Sequence, residues 1–591
     1  VNPSTAFATV LTDELIRCGL REAVVAPGSR SAPLAMALYA AAAGGRLRLH
    51  VRVDERSASF LALGLAKASG VPVAVVCTSG TAAAHFHAAV IEADESAVPV
   101  LVLTADRPPE LRGTGANQTI DQIKLYGGAV RWFGETGVPE DRPGQGEYWR
   151  SLGSRAYALA AGLGGGLPGP VHLNLPLRDP LVPDAADEPL PEALAGRPDG
   201  APWTRVSADR GLADTGGSGR PGLELDWTER GVVVCGDGTA DPAGAVALAA
   251  QAGWPLLAEP SSGARHGPAA LGAYQYLLDC AEFMAEHRPA VIVSAGRAGL
   301  TRGQLALLRG PAGPAGPAGP AGPGGPAAGW RHVVLTQGPG RWSDPARSAT
   351  AVADRVVLRG APADPATGWF RSWQAADAAA RAVADKALAA DGQLSEPLLA
   401  RDVAAALPAG ALLWVASSLP ARDLDRHLAP RADLRVLASR GASGIDGMIS
   451  SAMGAALAHQ SAGGGPAAAL LGDLAAVHDA AGLMLGPDEP VPDLCLIIVN
   501  NDGGGIFSTL EQAAFPGPFE RVFGTPHGTD FAALATAAGL PYSRLTSAAD
   551  LPAVLAGPGL RIAELRTDRA GGTTLRAAVS QACSAAVIAA S

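Results

Sequence analysis

"LCLIIVNNDGGGIF", residues 494–507, begins as a run of strand-forming apolar residues and then breaks into Asn500, Asn501, Asp502 and three glycines. A short uninterrupted apolar run of this kind suits a strand buried on both faces of a parallel sheet. In such sheets ligands collect at the carboxyl ends of the strands, where helix N-termini turn free N–H groups outward. Two amides, an acid and a backbone without side chains, placed at such an end, suit a cation and a phosphate.

Upstream, "ALLGDLAAVHDAAGL" (469–483) supplies a second strand end, with Gly472 and Asp473 ahead of a helical pattern. Asp473 and Asn501 are 28 residues apart, enough for one strand–helix–strand crossover, so the two side chains can meet at neighbouring strand tips. A carboxylate, an amide oxygen and a backbone carbonyl make a hard, all-oxygen site suited to Mg²⁺, which completes its octahedron with phosphate oxygens and water. Gly503, Gly504 and Gly505 let the backbone approach a diphosphate that side chains would hold away. Either half alone could be an ordinary polar turn. "VVVCGDGTADPAG" (232–244) is the internal control: Gly-Asp-Gly again follows a strand, but no Asn pair follows Asp237 at comparable distance, and Asp241 stands where a dinucleotide fingerprint needs glycine. It reads as a turn.

Around this pair the chain of 591 residues has room for three or four domains. It is 48% hydrophobic and 17% charged with a net charge of -10, a poor partner for nucleic acid or an anionic membrane. The six cysteines include no C-x-x-C pair, which points away from zinc and from a disulfide framework. Asp13 and Glu14 interrupt the first twenty residues, which read as an amphipathic helix and not a signal peptide, and no apolar run is long enough to span a bilayer. The expectation is a cytoplasmic protein.

Strands alternate with helical patterns in three sets, which predicts an α/β protein of three doubly wound parallel-sheet domains. Apolar runs at 22–28, 47–55, 71–80, 98–108 and 169–176 form the first set. A Pro-, Gly- and Asp-rich linker at 183–222 leads to a second set at 230–238, 289–297 and 330–342. "GPAGPAGPAGPAGPGGP" (310–326) interrupts that set with too few triplets for a collagen helix and is expected to be a disordered surface loop. The third set has a helix near 370–390 and strands at 411–420, 434–447, 467–479, 494–500 and 560–569.

Gly-Asp-Leu at 472–474 followed by Asn-Asn-Asp-Gly-Gly at 500–504 resembles the diphosphate–magnesium motif of thiamine diphosphate enzymes. "APGSRSAPL" (26–34), "DERSASFLALGLAKASG" (54–70), "TSGTAAA" (78–84), "TADRPPELRGTGANQTIDQ" (104–122), "SRGASGIDG" (439–447) and "NNDGGGIF" (500–507) resemble the 2-succinyl-5-enolpyruvyl-6-hydroxy-3-cyclohexene-1-carboxylate synthase family of the menaquinone pathway. The resemblance implies a pyrimidine-binding domain at 1–190, a linker and middle domain at 191–365 with its insert at 310–329, and a diphosphate-binding domain at 366–591. It further implies thiamine diphosphate with Mg²⁺, or Mn²⁺ in its place, decarboxylation of 2-oxoglutarate, and addition of the succinyl-semialdehyde carbanion to isochorismate. No side chain can stabilise that carbanion, so a cofactor must serve as electron sink.

By the same resemblance Glu55, at the end of the strand "LRLHVRVDE", activates the cofactor from beside ring nitrogen N1′. Thr78, Gly80, Ile445, Gly472, Asp473, Leu474, Asn501, Gly503, Gly504 and Ile506 are cofactor contacts, with Asp473, Asn501 and the Gly503 carbonyl on the metal. Ser29, Arg30, Gln118, Arg302, Ser418, Arg422 and Arg440 are substrate candidates, since arginine's planar fork matches carboxylates. Ile506 and Phe507 would wall the acceptor ring, and Ile445 would wedge under the cofactor. The cofactor lies between two subunits in the family, which makes a homodimer the minimum unit and a dimer of dimers the expected assembly. His85, His87 and His478 receive no role. An acetolactate synthase, a simple 2-oxo acid decarboxylase and a catalytically dead scaffold remain the alternatives.

Overall fold

The computed structural model describes residues 1–183, 194–207, 222–310, 329–338, 340–390 and 392–591. Most of the linker and nearly all of the Gly-Pro-Ala insert therefore lie outside the described residues. Two compact units form: Val1–Ser218 with Gly441–Gly464 and Ala475–Leu494, and Gly219–Arg440 with Gly465–Leu474 and Cys495–Ser591.

The first unit is built on β1 (Glu22–Val25), β2 (Arg48–Val51), β3 (Val73–Cys77), β4 (Val100–Asp106), β5 (Trp132–Glu135) and β6 (Val171–Pro176). Their order is β2-β1-β3-β4-β6-β5, with every pairing parallel. Strands β1, β3, β4 and β6 are buried at every position, as the unbroken apolar runs require. Asn2 caps the helix Pro3–Cys18 by accepting from Thr5 N–H at 3.0 Å, and Phe7 of that helix meets Trp149 edge-on in the core. The helices Glu55–Ser69 and Met448–Ser461 pack closely because a side chain at Gly64 would strike the Ser451 carbonyl, and one at Gly454 the Leu61 carbonyl.

In the second unit β7 (Leu223–Asp226) pairs with β13 (Val356–Arg359). Between them in sequence lie β8 (Gly231–Cys235), β9 (Leu256–Ala258), β10 (Val291–Ala295), β11 (Arg331–Leu335) and β12 (Ala351–Ala353), in the order β9-β8-β10-β11-β12. A third sheet takes β14 (Ala411–Val415), β15 (Leu434–Leu437), β16 (Ala467–Gly472), β17 (Leu494–Asn500), β18 (Tyr542–Leu545) and β19 (Leu560–Arg566), ordered β15-β14-β16-β17-β19-β18. That order repeats the first sheet strand for strand. The helices Gly368–Ala389 and Arg569–Ala590 pack together, with Trp373 fully buried in the core they share with Tyr274, Phe283 and Leu413.

All six cysteines are free thiols, and five are buried. Among the described residues no helix is long and apolar enough to cross a membrane. Glu55 corrects one sequence expectation: β2 stops at Val51, and Glu55 is the first residue of a helix whose N-cap, Asp54, accepts from Ser57 N–H. Its backbone N–H thereby belongs to a helix N-terminus, where an anionic side chain is favoured. His87 packs edge-on against Tyr126, whereas His85 and His478 are exposed.

Candidate active site

In the first unit the ends of β1 and β3 meet. Gly28 lies so close to Thr78 that a Cβ there would come within 2.3 Å of the Thr78 Cβ. Arg30 N–H donates to Thr78 Oγ1 at 3.2 Å, and Thr78 is buried. Gly80 has φ 88, and its N–H donates to Gln122 Oε1 at 2.8 Å. Gln118, itself at φ 54, lies over this turn, donating from Nε2 to the Ser79 carbonyl and accepting from Ser79 Oγ at its own carbonyl. Beneath the turn the chain of bonds runs on through buried groups: Gln122 Nε2 to Asn174 Oδ1, then Asn174 Nδ2 to Asp106 Oδ2 at 2.8 Å. Each member has its partner, which makes the platform under Gly80 rigid.

Arg30 is 5% exposed. One Nη donates to the Leu177 carbonyl and reaches Asp179 at 3.4 Å, while Nε is buried without a partner. Burial lowers its pKa, and the positive field of Arg107 lowers it further. Arg107 also has a buried, partnerless Nε. Two guanidinium groups that repel one another and keep idle donors make a site for an anion. Ser29, beside them, is exposed. Glu55 is half-buried, and after burial itself its charge is the next cause raising the Cys77 thiol, so the carboxylate stands near the end of β3. Arg52 and Arg56 do not pair with it: Arg52 binds Glu489, and Arg56 caps the His478 carbonyl. Ile445 is half-buried in this unit.

In the second unit Asp473 follows β16 and Asn501 follows β17. The loop after β17 folds back so that Gly503 N–H donates to Asp473 Oδ2 at 2.9 Å, which brings the two strand ends together. Gly503 holds φ 135, and a Cβ there would sit 1.9 Å from the Gly524 carbonyl oxygen. Only glycine fits. Gly504 N–H donates to that same carbonyl at 2.7 Å, and Gly472 has open space where a Cβ would be. Asp473 is 2% exposed, and burial pushes its carboxyl pKa up against the pull of the Gly503 and Leu474 N–H groups and of His527, whose Nε2 lies 3.4 Å away.

Asn501 is buried, its Nδ2 bound to Glu396 Oε1 at 2.9 Å and its Oδ1 without a partner. A buried amide oxygen with no donor, on the strand end next to one that carries a buried carboxylate, has the chemistry of a donor set for a hard divalent cation. Among the described residues no three His, Cys, Asp or Glu side chains gather as a metal cage. Leu474, Ile506 and Phe507 are all half-buried around the loop, and Phe507 packs on Phe523.

Ser418, at φ 81, and Arg422 follow β14, while Arg440 follows β15. Arg422 donates to the Ser418 carbonyl at 3.0 Å, and its pKa is lowered by burial first and then by Arg440. Arg440 has a buried, partnerless Nε and faces Glu259, whose carboxyl burial raises to about 7. Leu419 reaches the Asn501 loop, with Cδ1 3.2 Å from where a Gly505 side chain would start. Arg302 stands apart: it is 74% exposed at the start of a helix and pairs with the equally exposed Glu511. Sequence reasoning passed over Arg107, Gln122, Glu259, Glu396 and His527. Gln122 and Arg107 lay inside a quoted stretch, while nothing local marks the other three.

Two six-stranded sheets of one topology, one with a glycine turn and an acid and the other with an Asp–Asn–Gly cradle, define a thiamine diphosphate-dependent enzyme. Family comparison agrees: residues 5–125 match the thiamine pyrophosphate enzyme N-terminal TPP binding domain, and residues 420–557 match its C-terminal TPP binding domain. A 2-succinyl-5-enolpyruvyl-6-hydroxy-3-cyclohexene-1-carboxylate synthase of Thermobifida fusca is 57% identical over 99% of this chain and 100% of that protein. Proteins of the same name from Saccharopolyspora erythraea and Kineococcus radiotolerans are 47% and 45% identical, each over 96% of this chain and 97% of its own length. The chain belongs to this synthase family.

Proposed function

We propose that the chain decarboxylates 2-oxoglutarate and adds the resulting four-carbon unit to isochorismate, giving 2-succinyl-5-enolpyruvyl-6-hydroxy-3-cyclohexene-1-carboxylate and CO₂ in menaquinone biosynthesis. Thiamine diphosphate, when bound, supplies the electron sink that the carbanion left by CO₂ needs. Asp473 Oδ, Asn501 Oδ1 and the Gly503 carbonyl hold Mg²⁺, with Mn²⁺ able to replace it. The glycine-lined loop after β17, with Gly472, Leu474, Gly504 and Ile506, takes the diphosphate end. Thr78, Gly80 and Ile445 would take the pyrimidine end, and Glu55, at its helix start, would hold or accept a proton at the ring nitrogen N1′.

Arg30 and Arg107 on one unit, and Arg422 and Arg440 on the other, supply the fixed positive charge that substrates with several carboxylates require. Ser29, Gln118 and Ser418 add uncharged donors and acceptors, Ile506 and Phe507 an apolar wall, and Arg302, once freed from Glu511, a further charge. Glu55 of one chain acts on the cofactor whose metal is held by another chain, so a homodimer is the smallest active unit, and two such dimers pair. The domains run over 1–190, 191–365 and 366–591, and the enzyme works in the cytoplasm.

The near full-length likeness to the synthases supports the reaction, and the buried, partnerless Asn501 Oδ1, on the strand end next to that of Asp473, supports the cofactor site. Purified protein with Mg²⁺ and thiamine diphosphate is given 2-oxoglutarate plus isochorismate, or pyruvate alone, with CO₂ and coupled product followed by mass. Turnover confined to pyruvate would overturn the assignment.

A further inference from the structure

The Asn501 side chain can serve a cation only if its oxygen, and not its NH₂, faces Asp473. Two ends of one amide are nearly isosteric, so something else must decide. Glu396 is 4% exposed and is the first residue of the helix Glu396–Ala406. Its Oε1 accepts from Asn501 Nδ2 at 2.9 Å and from Thr567 Oγ1 at 2.7 Å, and its Oε2 accepts from Arg576. Arg576 is held in turn by Asp423, with Nε to Oδ1 at 2.9 Å. Thr567 N–H donates to the Asn500 carbonyl at 2.9 Å, which ties this group to the end of β17.

A buried carboxylate that receives a guanidinium and a hydroxyl offers Asn501 an acceptor and no donor. Turning the Asn501 amide over would set its oxygen against Glu396 Oε1, two acceptors face to face in a buried place. The amide is thereby locked with Oδ1 on the far side, and that oxygen is the atom found without a partner. We infer that Glu396, braced by Thr567 and Arg576, is a positioning residue that orients the Asn501 amide for the metal. This inference rests on the metal reading of Asp473 and Asn501.

The test uses Mn²⁺ as a paramagnetic probe, titrated into full-length protein with thiamine diphosphate and read as free Mn²⁺ by electron paramagnetic resonance. Glu396→Gln can present an NH₂ to Asn501 and so frees the flip; its Mn²⁺ affinity is expected to fall about 10–100-fold. The Mn²⁺ concentration giving half-maximal turnover should rise by the same factor while the far-UV circular dichroism of the metal-free variant matches the parent's, which a general loosening of the fold would not allow. Should Glu396→Gln melt before it can be titrated, Thr567→Val keeps the charge and removes one brace, and a several-fold fall is expected. Parent affinity in Glu396→Gln, or in Thr567→Val where that variant decides, overturns the inference. Asn501→Ala separates the two layers: it must weaken Mn²⁺ binding if the metal reading holds, and an unchanged affinity there defeats that reading itself.

Discussion

The first and third sheets share one strand order, yet they spend their buried acids differently. In the first, β4 ends at Asp106, which is fully buried and saturated by Asn174 Nδ2, the Arg112 guanidinium and the Arg107 N–H. In the third, β16 and β17 deliver Asp473 and Asn501 to neighbouring strand ends, and Asn501 Oδ1 is left open. Topology provides the place in both cases. Which polar atoms remain without partners decides whether the place can take a ligand or only holds the protein together. The first sheet gives its open functions to Glu55 and to the idle guanidinium nitrogens of Arg30 and Arg107.

The contrast breaks most visibly at Asp473. Asp473→Ala is expected to remove turnover to the limit of detection and to weaken thiamine diphosphate binding in calorimetry more than 100-fold, with the melting temperature of the ligand-free protein nearly kept; retained cofactor binding would place the metal elsewhere. Glu55→Gln should leave cofactor affinity within a few-fold and slow CO₂ release by about 10²–10⁴, the range of a lost proton-transfer group. Unaltered CO₂ release would remove Glu55 from the chemistry.

At Asp106 the opposite pattern is expected. Asp106→Ala leaves the buried Asn174 Nδ2 without its acceptor and the partly exposed Arg112 with Glu135 alone, so it should destabilise the protein by ~2 kcal/mol in denaturant melts while leaving Mn²⁺ affinity unchanged. A metal-binding defect there would erase the distinction between the two sheets.

Glu259 sharpens the comparison through pH. Burial raises its carboxyl from 4.5 to about 7, against the opposing pull of Arg440 and of the Leu300 and Gly299 N–H groups. The folded chain then binds more protons than the unfolded one between those values. Stability is fully present below about 4.5 and is lost as pH rises through about 7, by at most ~3 kcal/mol. Glu259→Gln, whose Oε1 can still accept the two N–H groups, should flatten the fall in melting temperature between pH 5 and 8. A parent curve that is already flat would show that Arg440 keeps the carboxylate ionised throughout.

Central strands were legible in sequence because burial on both faces demands unbroken apolar runs, as in β3, β4, β16 and β17. The strands missed, β5, β9, β12 and β18, lie at sheet edges, and β7 and β13 form a separate pair. "WFGE" and "YSRL" are half-exposed and carry no run to read. Among the residues expected at the site, Asp473, Asn501 and Gly503 stand out in sequence because a strand end, an acid and glycines leave a local pattern. Glu396 reaches Asn501 across 105 residues, and Gln122 reaches Gly80 across 42, so neither contact has a local signature.

Sequence alone determined the three sets of alternating strands and helices and the Asp473 and Asn501–Gly503 stretches at two strand ends, because each is written in residues adjacent along the chain; that Glu55 opens a helix came from the structure. Tertiary structure alone decided that Asp106 is closed and Asn501 Oδ1 open, that Glu396 turns the amide, and that Arg107 stands beside Arg30. A polar atom's capacity for a ligand depends on which distant donors fill it first, and that is a property of the packed chain.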